Sequence, residues 1–350
     1  MKFAPLGSSG VNVSRVCLGS MTWGIQNNQQ EADEQLDYAL AQGVNFVDTA
    51  ELYPVPPLAG TYGDTERIIG NWLSRNLTRR KDIVLASKIA GPGLKYIRGG
   101  GKITGEGVIA AVDASLERLQ TDYIDLFQLH WPNRVSPHFA KHWPGKISFS
   151  DVDRQAQSVE MLEILQALDS CVKAGKIRFC GLSDETPWGI NEYIRLSDKH
   201  ALPRMVSIQN EFSLLHTKDW PYLIENCVHE NLAFLPWSPL AGGMLSGKYA
   251  NGAMPKGSRW TFEQRNGIFR DTEQGHAAVA GYAEVAKQYG LSSSQLALAW
   301  CDQLDGVTSS IIGATSMAQL KENIAAFDMP LPADACKDIA QVMRRYPMPF

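Results

Sequence analysis

The stretch IDLFQLH, residues 124–130, is an apolar run that ends in a histidine. A short run of this kind is typical of a strand that is buried on both faces of a parallel sheet. The imidazole of His130 would then lie at the carboxyl end of the strand. The same pattern recurs along the chain, and the recurrences predict the fold.

Eight such runs occupy residues 16–19, 44–48, 83–88, 124–130, 177–183, 205–210, 232–237 and 309–313. Between them lie stretches with leucine or alanine at three- and four-residue spacing, which predict helices. Because the connections are long enough to hold a helix, the strands are expected to pair in parallel. A doubly wound open sheet and a closed barrel both satisfy this pattern. Eight units in 350 residues favour an α/β protein with a (β/α)8 TIM barrel.

No low-complexity linker divides the chain, so we expect a single domain. A β-hairpin is expected at about residues 1–15, the barrel at about 16–327 and a C-terminal tail at about 328–350. Long irregular segments at residues 91–105, 131–151 and 249–271 follow three of the strands. They would form long loops at the C-terminal face, where substrates bind in this fold.

The composition favours a cytoplasmic protein that binds neither nucleic acid nor a membrane, and the polar residues that follow the apolar runs favour a small-molecule carbonyl substrate. The net charge of −4 gives no overall footprint for nucleic acid, and no apolar run is long enough to cross a membrane. The six cysteines form no CxxC pair, so we expect reduced thiols and no metal site. The segment HFAKH, residues 138–142, has two histidines four residues apart, but its flanking prolines favour a surface loop.

Polar residues of complementary chemistry follow three consecutive runs. Asp48, Lys88 and His130 stand at the ends of the second, third and fourth, and Tyr53 lies five residues beyond Asp48. Each has an ordinary explanation alone: a helix N-cap, a solvated charge, a loop histidine and a packed turn aromatic. In a closed barrel, however, the strand ends converge on one rim.

Together these four side chains suit proton donation to a carbonyl oxygen. A tyrosine has a pKa of about 10, which a nearby ammonium is expected to lower. A carboxylate would hold the lysine in place, and an imidazole would orient the substrate oxygen. Because no side chain supplies a hydride, carbonyl reduction requires a cofactor.

Two glycine-containing segments favour a nucleotide site of the barrel type. WSPLAGGMLSGK, residues 237–248, and GATSMAQLKEN, residues 313–323, follow strands seven and eight, where barrels often bind phosphate. The sequence GGMLSGKY within the first fits Gly-x4-Gly-Lys, but Tyr249 stands where a P-loop needs Ser or Thr. Lys248 and Arg259 would favour a 2′-phosphorylated cofactor, and Trp237 offers a face for a nicotinamide ring.

These residues and segments together resemble the aldo-keto reductase superfamily, from LGSMTWG near residue 18 to about residue 327. The layout looks closest to the Tas-type bacterial members and is also similar to the potassium-channel β-subunits. The resemblance implies an NADP(H)-dependent oxidoreductase that reduces aldehydes or ketones to alcohols. It implies that Tyr53 is the general acid, that Lys88 and Asp48 tune it, and that His130 orients the carbonyl.

The resemblance also implies a set of residues that bind NADPH or NADP+. The nicotinamide end would contact Ser183, Asp184, Gln209 and Trp237. The pyrophosphate would lie along Ser238, Pro239, Leu240, Ala241, Gly242 and Lys248. The adenosine and its 2′-phosphate would be held by Arg259, Gly313, Thr315, Gln319, Glu322 and Asn323, and a further cofactor-edge segment would comprise Gly19, Ser20, Met21 and Gln26.

Two departures from the family pattern concern the cofactor. Asp184 stands where asparagine is frequent, and a carboxylate accepts but does not donate hydrogen bonds. The segment GAT also has no lysine where many members have one, so the phosphate charge would depend on Lys248 and Arg259.

The sequence also predicts part of the substrate pocket and permits two other functions. Trp23 and Trp131, which follow strands one and four, are expected to form an apolar substrate wall. LASK, residues 85–88, would also suit a Schiff-base lysine, but that interpretation gives Tyr53 and the phosphate segments no task. The alternative to an enzyme is a non-catalytic barrel that binds NADP(H) and serves as a regulatory or partner subunit.

Overall fold

A computed structural model of the chain describes residues 1–263 and 267–350. Ten strands and ten α-helices occur in these ranges. The strands are β1 Phe3–Pro5, β2 Asn12–Ser14, β3 Val16–Gly19, β4 Phe46–Asp48, β5 Val84–Ile89, β6 Ile124–Leu129, β7 Ile177–Ser183, β8 Met205–Gln209, β9 Ala233–Phe234 and β10 Ser310–Ile312. The helices are α1 Gln29–Ala41, α2 Asp64–Arg75, α3 Gly105–Leu119, α4 Arg154–Lys173, α5 Pro187–His200, α6 Tyr222–Glu230, α7 Glu273–Gln288, α8 Ser293–Gln303, α9 Met317–Ala325 and α10 Ala333–Arg345.

Strands β3 to β10 form one parallel sheet in the order β10-β3-β4-β5-β6-β7-β8-β9. The two ends of this sheet meet through parallel bridges that join Phe234 to Val307 and Trp237 to Ile311. The amide of Ile311 donates to the carbonyl of Pro236 at 2.9 Å across this seam. The predicted (β/α)8 barrel is therefore confirmed.

The N-terminal hairpin is also confirmed, with β1 antiparallel to β2. Leu6 and Val13 of the hairpin pack with Cys17, Phe46 and Val84 of the barrel interior. Because these apolar contacts close the N-terminal end, the opening for a ligand lies at the C-terminal ends of the strands.

Two elements differ from the sequence expectation. The seventh barrel strand is shorter than residues 232–237, and Trp237 lies outside it, in isolated bridges to Glu211 and Ile311. Pro236 explains the early end, because proline has no amide hydrogen to continue the ladder. The segment expected to be a C-terminal tail contains α10, which buries Ala335 and Ile339.

Within residues 1–263 and 267–350, no helix combines the length and the apolar composition that a bilayer crossing needs.

Candidate active site

A cavity of about 1320 Å³ opens among the loops at the C-terminal ends of the strands. Of the residues predicted for the site, all line this cavity except Lys88, Ala241 and Trp23. Residues from opposite ends of the chain, such as Gly19 and Asn323, share its wall because parallel strands end at the same face.

Lys88 lies directly behind the cavity wall in a buried ion pair. Its Nζ donates to Asp48 Oδ2 at 2.6 Å and to the carbonyl of Thr49 at 2.7 Å. The other carboxylate oxygen of Asp48 accepts from Gln209 Nε2 at 2.9 Å and from Gln128 Nε2 at 3.3 Å. The charges of this pair are thus compensated within the barrel.

Tyr53 and His130 lie beside this pair. The Lys88 Nζ is 4.9 Å from the centre of the Tyr53 ring. The Tyr53 and His130 rings meet edge to face, with centroids 5.6 Å apart. The four side chains predicted from the strand ends therefore share one small region.

The electrostatics of Tyr53 differ from expectation. Burial raises the pKa of the Tyr53 hydroxyl above its ordinary value, and the Lys88 ammonium opposes this change without overcoming it. The ammonium acts in the predicted direction, but the expected net lowering is wrong because the desolvation of the phenolate is larger. Tyr53 therefore remains protonated at neutral pH.

His130 is held as a neutral imidazole. Desolvation and the positive charge of Lys88 lower its pKa well below the ordinary range. Its Nδ1 atom is buried and has no hydrogen-bond partner among the described residues. A buried ring nitrogen without a partner has a cost in free energy, and the His130 ring lines the cavity.

Glu51, which the sequence analysis overlooked, fixes the loop that carries Tyr53. Its buried carboxylate accepts from both Arg98 terminal nitrogens, at 2.8 and 2.6 Å, and from the Ala90 amide at 2.6 Å. The Tyr62 hydroxyl also donates to it at 3.1 Å. The position of Glu51 between Asp48 and Tyr53 in the sequence is the signal that could have identified it.

The segment after β9 presents backbone to the cavity. Ser238, Ala241, Gly242 and Gly243 all have positive φ angles. A side chain on Gly243, whose φ is 98°, would come within 2.5 Å of the Lys248 Nζ. The Ala241 and Gly243 amides donate to the Ser238 and Leu240 carbonyls, so the other amides of this turn are the ones that could bind an anion.

Lys248 and Arg259 add positive charge beside this segment. Desolvation and repulsion by Arg270 lower the pKa of Arg259 to about 10, and desolvation and Arg259 lower the pKa of Lys248. Across the cavity, Ser316 caps α9, and the Thr315 amide donates to Gln319 Oε1 at 2.9 Å. Cations whose charge is only partly compensated fit a phosphorylated ligand.

The two tryptophans predicted for the substrate pocket have different positions. Trp131 lines the cavity, and its Nε1 donates to the carbonyl of Pro92 at 3.0 Å. Trp23 does not line it, so that prediction is wrong. Its side chain is fully buried against α1, where Nε1 donates to Gln35 Oε1 at 3.1 Å.

The histidine segment lies in the loop between β6 and α4, as expected, but its first histidine does not face solvent. His138 is buried, and its Nδ1 lies 3.3 Å from Asp184 Oδ1. The next residue, Phe139, stacks on Trp237 with ring centroids 5.7 Å apart. In the described part of the chain, no three His, Cys, Asp or Glu side chains are arranged to hold a metal ion.

Known sequences that resemble this chain identify its family. The model of the Aldo/keto reductase family matches residues 15–344. The chain belongs to the aldo/keto reductase family. It is 42% identical to Protein tas of Escherichia coli (strain K12), over 100% of this chain and 99% of that protein.

More distant relatives cover almost the same length. The chain is 29% identical to the "Uncharacterized oxidoreductase YrpG" of Bacillus subtilis (strain 168), over 95% of this chain and 92% of that protein. It is also 29% identical to a "Probable voltage-gated potassium channel subunit beta" of Arabidopsis thaliana, over 99% of each chain. Membership of the family supports a general oxidoreductase activity on carbonyl compounds.

Proposed function

We propose that the protein reduces aldehydes or ketones to alcohols with NADPH and that Tyr53 is the general acid. The observation that carries this proposal is that Tyr53 and the neutral His130 line one cavity and that the Lys88–Asp48 pair lies directly beside them. NADPH would supply the hydride when bound.

The side chains of this site have complementary tasks. Tyr53 is protonated at neutral pH because its pKa is raised, so its proton is available to the carbonyl oxygen. An oxygen that becomes an alkoxide is a stronger base than a phenolate, which makes this proton transfer favourable. The Lys88 ammonium stabilises the phenolate that remains on Tyr53.

His130 would orient the substrate. A neutral imidazole can donate one hydrogen bond to the carbonyl oxygen without competing with Tyr53 for the proton. Asp48 holds the Lys88 ammonium at 2.6 Å, and Glu51 fixes the loop on which Tyr53 lies. Trp131 would form the apolar wall against which the substrate packs.

The cavity residues fit a dinucleotide. The positive-φ turn at Ser238–Gly243 would bind the pyrophosphate together with Lys248, and Arg259 would bind the 2′-phosphate. Thr315 before α9, with Gln319 and Asn323 on this helix, would bind the adenosine end. Trp237 and Asp184 would contact the nicotinamide, with Ser183 and Gln209 beside them.

The direct test measures the decrease in NADPH absorbance with a panel of aldehydes, ketones and quinones, and then identifies the alcohol product. We expect turnover with at least one class of carbonyl. If NADPH quenches tryptophan fluorescence but no carbonyl is reduced, the alternative of a non-catalytic NADP(H)-binding subunit is favoured instead.

A further inference from the structure

A buried carboxylate lies at the cavity wall beside the Trp237 ring. Asp184 follows the last residue of β7 and is 2% exposed. Its φ angle of 50° is in the left-handed region, which Asp and Asn adopt more readily than most residues. Its Oδ1 accepts from Trp237 Nε1 at 3.0 Å.

A second side chain beside the same oxygen comes from a distant segment. His138 Nδ1 lies 3.3 Å from Asp184 Oδ1, and the imidazole is 5% exposed. His138 belongs to the long loop between β6 and α4, so its contact connects the substrate side of the cavity with the nicotinamide side. Phe139 strengthens this connection because it stacks on Trp237.

Two further acids lie near Asp184, and each has its own hydrogen-bond donor. Glu211 pairs with Arg270, and Asp219 accepts from Asn210 Nδ2 at 2.9 Å. Tyr53 faces the same region as a neutral hydroxyl. Within the described residues, His138 is the basic side chain that lies 3.3 Å from Asp184, and Asp184 is the acid among these groups that lines the cavity.

A carboxylate at this position distinguishes the two redox forms of a nicotinamide. The oxidised ring carries a positive charge and the reduced ring is neutral, so an anion beside it stabilises the oxidised form. We propose that the Asp184 carboxylate makes the site bind NADP+ more tightly than NADPH and that the His138 side chain positions this carboxylate for the discrimination. The inference rests on the proposed function. By linkage, tighter binding of NADP+ drives the bound reaction toward reduction.

The discrimination depends on pH. Burial raises the pKa of Asp184 to about 6, while His138 and the Trp237 hydrogen bond oppose that shift. Above this pH the carboxylate is charged and the preference for NADP+ is present; below it the acid is neutral and the preference is lost. Removal of His138 would move the change to higher pH, because His138 favours the charged carboxylate.

The test compares dissociation constants of NADP+ and NADPH by calorimetry on the whole protein. In Asp184→Asn, which keeps the shape and tolerates the left-handed backbone, we expect the preference for NADP+ to fall about tenfold, since one unit charge is removed from a confined site. Asp219→Asn, at a partly buried acid that does not line the cavity, is the matched control. Because Asp219 raises the pKa of Asp184, this control is measured well above that pKa, where it should leave the ratio unchanged.

A second variant keeps the test independent of the first. In His138→Asn, the pH at which the ratio of the two constants changes should lie above that of the parent protein. An unchanged ratio in Asp184→Asn, or an unchanged pH profile in His138→Asn, would overturn this inference alone. If the parent protein binds neither NADP+ nor NADPH, the proposed function itself fails.

Discussion

Replacement of Lys88 by methionine tests whether the catalytic region is built around a desolvated ion pair. The Lys88 side chain is fully buried and that of Asp48 is 3% exposed, with 2.6 Å between Nζ and Oδ2. Methionine preserves most of the side-chain volume but leaves the Asp48 carboxylate without a cation. Breaking a buried pair in this way costs about 3–5 kcal/mol of the free energy of unfolding.

We expect the lower end of that range, because Gln209 and Gln128 still donate to Asp48. Urea denaturation monitored by circular dichroism measures the change. The double variant Lys88→Met with Asp48→Asn should lose less stability than Lys88→Met alone, since no uncompensated charge remains. Lys102→Met is the matched control, because its pair with Glu160 is exposed.

A small effect would contradict this reasoning. If Lys88→Met lowered the free energy of unfolding by less than about 1 kcal/mol, the pair would behave like one at the surface. The Lys88 and Asp48 side chains would then not be held together inside the barrel.

Two further predictions concern pH and cofactor choice. Because the pKa of His130 is lowered well below its ordinary range, turnover at saturating NADPH should stay level as the pH falls from about 8 to about 6; a decline centred near the ordinary histidine pKa that disappears in His130→Gln would contradict this. Arg259→Met removes a cation proposed for the 2′-phosphate, so the KM for NADPH should rise about tenfold while that for NADH is unchanged. An equal rise for both cofactors would place Arg259 elsewhere along the dinucleotide.

The strand ends were predictable because their signal is local. Asp48, Lys88 and His130 each follow an apolar run, and the regular alternation of strands and helices requires those runs to end at one face. Helices α8 and α10, which were not predicted, also have local signals in the sequence that mark where they begin. Ser292 and Gln295 form a capping box before α8, and Pro332 precedes the amphipathic α10.

The loop contacts were not predictable in the same way. Trp23 and Trp131 both follow strands, but only a three-dimensional path shows that Trp23 turns toward α1. His138 was interpreted from its spacing to His142, whereas its partner Asp184 lies 46 residues further along the chain. Long loops carry no periodic pattern that fixes which face a side chain takes. The net pKa of Tyr53 likewise depends on burial, which sequence does not give.

The most direct test of the proposed mechanism is Tyr53→Phe, measured for binding and turnover on the same preparation. Phenylalanine keeps the ring beside His130 and Lys88 but removes the acidic proton. We predict that single-turnover reduction of an accepted carbonyl slows by at least about 10²-fold, while the dissociation constant for NADPH stays near that of the parent protein. Reduction at the parent rate by Tyr53→Phe would show that another group delivers the proton.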